Sequence, residues 1–126
     1  MPLIKIETNI DEVVKNLGSK SNRIVRAIKT AIRKSGFLVE RRAKLLVTNR
    51  MVNVITGRLR NSINTTLGKS GIGSFSATIQ PNVDYAIFLH EGTRYIRARP
   101  FMTTARRDVQ GEIEDTFQRE IHKAIK

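Results

Sequence analysis

The residues best suited to chemistry lie in one stretch, residues 84–105, which reads DYAIFLHEGTRYIRARPFMTTA. Histidine is the usual general acid or base near neutral pH, so a catalytic interpretation must begin with His90. Its neighbour Glu91 is a poor partner, because residues one apart on a helix do not face each other. We therefore expect His90 to be structural and hydrogen-bonded at a helix end, with an interface role and catalysis as the alternatives.

Other groups needed for catalysis or metal binding do not stand out at recognisable spacings. The second histidine, His122, lies far along the chain, and there is no cysteine. Two isolated histidines without cysteines do not form a metal-ligand pattern. The Gly-rich segment at residues 68–73 does not have the spacing or the following helix of a phosphate-binding loop. We expect no catalytic site, no cofactor and no metal.

An arginine-rich arm follows the histidine and carries Arg94, Arg97 and Arg99 together with Tyr95. Arginines can contact phosphates while an aromatic ring stacks on a base, so the arm resembles a nucleic-acid surface. Arginines also suit bidentate contacts with acidic residues of a neighbouring subunit. Both interpretations remain open. No helix-turn-helix, RRM, KH or zinc-finger signature accompanies the arm, so we do not expect sequence-specific recognition.

The composition predicts a basic chain whose partner is acidic. With 126 residues we expect one domain spanning residues 1–126. No apolar run approaches the roughly 18–20 residues of a membrane span, and nothing resembles a signal peptide. The net charge of +12 indicates affinity for polyanions or for an acidic protein surface.

The longest periodic segment, residues 19–47, predicts a long basic helix. Its apolar face carries Ile24, Ile28, Ala31, Ile32, Leu38, Val39 and Leu46, and its opposite face carries Arg26, Lys29, Arg33 and Lys44. Residues 20–50 hold ten lysines and arginines against one acid, which leaves a net charge of +9 there. The basic face is either simply solvated or directed at a polyanion or an acidic partner. Gly36 indicates a kink or close packing in this helix.

The elements around this helix are shorter. Alternation predicts a strand at Leu3–Glu7 at the edge of a sheet, then a helix from Ile10 to Leu17 that Gly18 ends. The apolar connector at residues 49–55 is either tucked under the sheet or an interaction loop. A short helical turn at Thr56–Ser62 leads into a β-hairpin with strands around residues 63–67 and 75–79.

The last third predicts two helices joined by the arginine arm. Asp84 can cap the first and Gly92 can end it. Pro100 fits the first position of one closing helix that runs to the C-terminus. Tyr85, Phe88 and Phe101 are expected to anchor this region to the core. The fold class is therefore α+β, with the long basic helix and the C-terminal helix packed on a small, mainly antiparallel sheet.

Three short motifs resemble the tail-component or neck-protein family of long-tailed bacteriophages. They are T-G-x-L-R-x-S-I at Thr56, Gly57, Leu59, Arg60, Ser62 and Ile63, Y-A-x-x-x-H-x-G-T at Tyr85, Ala86, His90, Gly92 and Thr93, and A-R-P-F at Ala98, Arg99, Pro100 and Phe101. The order of elements also matches, so the resemblance spans nearly the whole chain. The basic face of the long helix is not a feature of the family pattern.

The resemblance implies a small, non-enzymatic structural protein of the virion that acts at the head–tail junction, in the neck or in tail completion. It implies a homo-oligomeric ring matched to the six-fold tail, with connector, head-completion and tail proteins as partners. In such a ring the basic face could meet packaged DNA, without sequence specificity, or an acidic neighbour. The residues by themselves leave two alternatives, a basic nucleic-acid-binding module and a small toxin-like ribonuclease using His90 and Arg99.

Overall fold

A computed structural model describes residues 3–9, 15–16, 21–48, 57–69, 74–95 and 97–125. Its elements in chain order are β1 (Ile4–Asn9), α1 (Ser21–Leu46), α2 (Arg58–Ser62), β2 (Ile63–Lys69), β3 (Ser74–Pro81), α3 (Ala86–Glu91), α4 (Phe101–Asp108) and α5 (Gln110–Ile125). The predicted α+β class is confirmed. The apolar connector, Thr56 and most of the predicted helix at residues 10–17 lie outside the described residues, although residues 15 and 16 are helical.

The three described strands form one antiparallel sheet in the order β1-β3-β2. The strand β1 is at one edge, as its sequence predicts, and places Ile6 opposite Ala77 of β3. On β3 the inward side chains of Phe75, Ala77 and Ile79 are buried, while the alternate residues are partly exposed. Apolar and polar residues alternate in the strand sequence because one face of the sheet packs on the core and the other faces solvent.

The helix α1 covers the inner face of the sheet and also contacts α4 and α5. Its buried side chains include Ile28, Ile32 and Val39, which belong to the predicted apolar face. Burying one such side chain contributes about 1.5–3 kcal/mol, so this face holds the layers together. Gly36 lies where α1 crosses the sheet, and the predicted close packing there is confirmed.

The closing segment is two helices, so the prediction of a single helix is wrong. The division falls at Val109, whose φ of −102° and ψ of 9° leave the helical region while its N–H still bonds Ala105 O. Gly111 follows two residues later, and glycine lowers helix propensity by about 1 kcal/mol relative to alanine. The break lets α4 place Phe101 and Met102 in the core, both fully buried, before α5 continues along α1.

Two ion pairs join α1 to the closing helices. Lys34 Nζ lies 2.6 Å from Glu120 Oε1 on α5, and Arg42 Nη2 lies 2.9 Å from Asp108 Oδ2 on α4. The hydrogen bond from Lys34 lowers the pKa of the Glu120 carboxyl. Ion pairs at the protein surface contribute little to stability, so these two fix the alignment of the helices more than they stabilise the fold.

Candidate interaction surface

The first two motifs, separated in sequence by the hairpin, meet at one end of the sheet. The pairing of β2 with β3 sets Ile63 opposite Pro81, so the end of α2 lies beside the chain that enters α3. The Asn82 N–H donates to Ser62 O at 3.1 Å, and the Arg58 guanidinium lies 5.9 Å from the centre of the Tyr85 ring. The hairpin register therefore builds a single junction from both motifs.

The α2 side of this junction is fixed by its backbone. Gly57 is the N-cap with φ of 74°, a left-handed conformation that favours glycine, and its carbonyl accepts the Asn61 N–H at 2.9 Å. Leu59 is buried, and the Ser62 hydroxyl donates to Leu59 O at 2.7 Å. Arg60 points outward and is exposed. This half combines a rigid turn with an exposed cation.

The α3 side of the junction differs from the sequence prediction. Tyr85 and Phe88 are 38% and 54% exposed, so the expectation that they anchor the junction in the core is wrong. Among the described side chains of α3, Ala86 is the one that is buried. Asp84 makes no capping bond, since Tyr85 is the N-cap. Gly92 ends the helix with φ of 80°, as predicted, and donates its N–H to Phe88 O at 2.8 Å.

His90 ties α3 to α4. Its Nε2 lies 3.3 Å from Thr103 Oγ1, and its ring meets the fully buried Phe101 ring edge-on with centres 5.5 Å apart. The Nδ1 atom is buried and has no hydrogen-bond partner in the described part of the chain. Desolvation lowers the pKa of His90, against a smaller opposing effect of Glu91. The expected hydrogen bond near a helix end is present, and the ring behaves as a packed, neutral side chain.

The arginine arm has no regular secondary structure in its described residues, 92–95 and 97–100. The Tyr95 ring is 88% exposed, and the Arg94 guanidinium lies 5.7 Å from its centre. Arg97 and Arg99 are also exposed. The Thr93 hydroxyl accepts the Tyr95 N–H at 3.2 Å, which shapes the turn after Gly92. The arm therefore presents a cation and an aromatic ring to solvent at the same point.

Pro100 ends the arm and starts α4. Pro100 is the N-cap of α4, with ψ of 67°, whereas we predicted it at the first helical position. Its carbonyl accepts the Thr104 N–H at 2.9 Å. Phe101 then enters the core directly, and it is the one member of the predicted aromatic anchor that is buried. The arm is thus held by the Gly92 turn at one end and by Phe101 at the other.

The predicted basic face of α1 is divided between two places. Arg26, Lys29 and Arg33 are exposed, and Lys29 lies with Lys69 around a pocket of about 190 Å³ near the distal end of the hairpin. Lys44 is half-buried, 3.9 Å from Glu40, and lies toward the motif junction. The helix therefore does not present these four cations as one uniform surface.

A groove of about 470 Å³ at the C-terminal half of α1 is a feature that the sequence interpretation missed. Its lining residues are Leu38, Arg41, Arg42, Lys44, Leu45, Thr48, Arg60, Val109 and Glu112. Arg41 and Arg60 are exposed and form no ion pair with another described residue. Leu45, 40% exposed, supplies apolar surface between them. The signal in the sequence was Leu45 directly after Lys44 and four residues after Arg41, a combination to which we assigned no role.

The described residues contain no group of three or more histidine, aspartate or glutamate side chains placed to hold a metal ion. Within the described ranges, no helix is both long enough and apolar enough to cross a membrane. The features that remain are an aromatic and cationic arm, a basic groove and the rigid junction between them.

Comparison with known proteins gives one family. Residues 11–92 match the family model described as "Bacteriophage HK97-gp10, putative tail-component". No curated protein and no solved structure gives a significant match. The matched region includes the first motif, the second motif as far as Gly92, and the strands β2 and β3. Because it covers well over half of the chain, the protein belongs to the HK97-gp10-like family of bacteriophage tail components.

Proposed function

We propose that this tail component is a structural, non-enzymatic protein of the head–tail junction that acts in the neck or in tail completion. It works as a homo-oligomeric ring, with a six-fold arrangement that matches the tail. Its partners are the phage connector, head-completion and tail proteins, and its place in the virion is the joint between head and tail.

Family membership carries this proposal, and the geometry of the junction supports it. The motif residues Gly57, Gly92 and Pro100 shape the backbone, while Arg60, Arg97 and Arg99 are exposed at or near these turns. His90 is bonded to Thr103 and packed on Phe101. Rigid turns that display cations are suited to protein contacts, because preorganised surfaces lose little entropy on binding.

The test is to delete the gene in the phage and to supply the protein in trans with a short tag after α5, where Ile125 is 65% exposed. Without the protein, lysates should contain filled heads and separate tails, and adding purified protein should restore joined, infectious particles. Gold-labelled antibody to the tag should mark the joint in electron micrographs. Light scattering of the purified protein should give the mass of a closed ring.

A matched control distinguishes this role from a loss of folding. Phe101→Ala should abolish complementation by unfolding the protein, whereas Arg26→Gln, at an exposed position of α1, should complement normally. Label at the distal end of the tail, or normal joining without the protein, would contradict the proposal.

A second candidate function is non-specific nucleic-acid binding, which one observation favours. The Tyr95 ring is almost fully exposed beside Arg94, an arrangement on which a base can stack while arginines contact phosphates. In a neck protein the same arm would meet the packaged genome as it passes the joint. Negligible binding to both DNA and RNA at low salt would remove this candidate.

A further inference from the structure

The groove at the C-terminal half of α1 has the character of a docking site. Its cations Arg41 and Arg60 stand beside the apolar surface of Leu38 and Leu45. Aromatic or aliphatic anchors surrounded by charges are the usual composition of a protein-binding patch. A phosphate backbone would leave this apolar surface unused. The groove therefore fits an acidic, apolar segment of protein.

A ridge of that composition is present elsewhere on the same chain. It consists of Asp84, Tyr85, Phe88 and Glu91, all of them exposed. Phe88 and Glu91 are three residues apart on one side of α3, and Asp84 lies in the turn that leads into this helix. Neither acid forms an ion pair with another described residue. The ridge offers two aromatic side chains between two carboxylates.

The short helix α2 places groove and ridge on different sides. Arg58 contacts the Tyr85 ring of the ridge, whereas Arg60 lines the groove. With 3.6 residues per turn, two residues two apart project about 200° from each other. A copy of the chain therefore cannot fill its own groove with its own ridge, and the two patches suit contact between copies.

We propose that the ridge Asp84–Glu91 of one copy docks in the groove of the next, with Phe88 against Leu45 and the two carboxylates facing Arg41 and Arg60. The contact joins two different patches, so it is heterologous and repeats around a ring. It rests on the proposed function, because it names the interface by which the ring of the tail component would close.

Two complementary variants test the interface. Arg41→Glu/Arg60→Glu reverses the groove, and Asp84→Lys/Glu91→Lys reverses the ridge. Sedimentation of each alone should show association weakened by about tenfold or more, since reversed charges now face like charges. A mixture of the two variants should associate again at about the wild-type strength, because the unchanged ridge fits the unchanged groove and the reversed ridge fits the reversed groove. A chain carrying both reversals should associate again.

Matched controls separate the interface from net charge and from folding. Arg26→Glu/Arg33→Glu makes the same change in net charge outside the groove and should assemble like the wild type. If a charge-reversed variant fails to fold, Leu45→Ser and Phe88→Ser at exposed positions provide a second mixing experiment. Their mixture should stop at a one-to-one heterodimer, because only one working groove and one working ridge remain. Thermal melts of every variant show which of them are folded.

Three outcomes would overturn the interface. The first is a mixture that stays monomeric. The second is a groove-reversed variant that assembles normally but no longer binds another protein or DNA. The third is a wild type that remains monomeric up to about 1 mM. These outcomes are separate from the fate of the proposed function. If the gold-labelled antibody marks the head–tail joint but the mixing experiment fails, only this interface is rejected. If the antibody marks another part of the virion, the proposed function is rejected.

Discussion

Gly36 of α1 lies directly against Thr65 of β2, so closely that a Cβ at residue 36 would stand 2.8 Å from Thr65 Cγ2 and 3.0 Å from Ala77 Cβ. The Thr65 hydroxyl also lies 3.4 Å from Gly36 O and 3.3 Å from Glu40 Oε1. The distance between helix and sheet is therefore set by the absence of a side chain at this one position.

We predict that Gly36→Ala destabilises the protein by about 1–2 kcal/mol. Alanine gains about 1 kcal/mol of helix propensity, but overpacking costs about 1–3 kcal/mol and Ala77 belongs to the rigid central strand. Thr65→Ser removes the nearer methyl, so the double variant should recover part of the loss. Urea unfolding measures all three.

Gly111→Ala is the matched control, because a Cβ at residue 111 would meet nothing within 4 Å. Without a steric cost, the change should stabilise the protein by about 0.5–1 kcal/mol through helix propensity. Equal effects of the two substitutions would show that the contact with Thr65 does not control the spacing.

Ser35→Ala should stabilise the protein by about 1 kcal/mol. The Ser35 side chain is fully buried and its hydroxyl has no hydrogen-bond partner among the described residues, which costs about 1–3 kcal/mol. Thr116 provides the contrast, since its buried hydroxyl donates to Glu112 O at 2.7 Å. Thr116→Val should therefore be neutral or slightly destabilising, and a loss of stability in Ser35→Ala would contradict the reasoning.

The pH dependence of stability should contain a contribution from His90. Burial lowers its pKa in the folded protein, so the unfolded chain takes up the proton first as the pH falls through about 6.5. The unfolding free energy should therefore be highest above that pH and decrease below it until the folded histidine is also protonated. The measurement is urea unfolding between pH 8 and 5.

His90→Gln should remove this contribution while keeping a polar group near Thr103. The stability difference between wild type and variant should shrink as the pH falls. A profile that is identical in the wild type and His90→Gln would show that the packed ring does not control acid stability.

Binding of single-stranded DNA should separate the arm from the helix face. The association constant for DNA falls as salt is added, and its log–log slope is about −0.7 per phosphate contact for single strands. Replacing Arg94, Arg97 and Arg99 by glutamine should therefore reduce the magnitude of this slope by about 2. Tyr95→Ala should weaken binding by about tenfold without changing the slope, because stacking is not ionic. Replacing Arg26, Lys29 and Arg33 by glutamine removes the same charge from α1. A larger loss of DNA binding in that variant would show that DNA binds at α1 instead of the arm.

The long-range pattern of the chain made much of the fold predictable. The 3.6-residue period identified α1 because one continuous face of it is buried, and alternation identified the strands because only one side of the sheet is covered. Gly92 could be identified as the end of a helix because it occupies a conformation that favours glycine.

Features that depend on short-range geometry were not predictable in the same way. The exposure of Tyr85 and Phe88 depends on which side of a six-residue helix faces the sheet end. Such a helix has fewer than two turns, so its hydrophobic pattern does not show which side is buried. The break at Val109 needs only one residue to leave the helical region. The groove joins α1 to Arg60 and Glu112, which only the packed fold brings together.

The strand order has a consequence for how the protein emerges from the ribosome. The strand β1 is made first, yet its partner in the sheet is β3. At about 5–20 residues per second, it waits roughly 4–15 seconds for that partner. During this interval Lys5 and Glu7 alternate with its isoleucines and reduce pairing with other nascent chains, because charge on an exposed strand opposes aggregation. The N-terminal strand is thus the last part of the sheet to find its place.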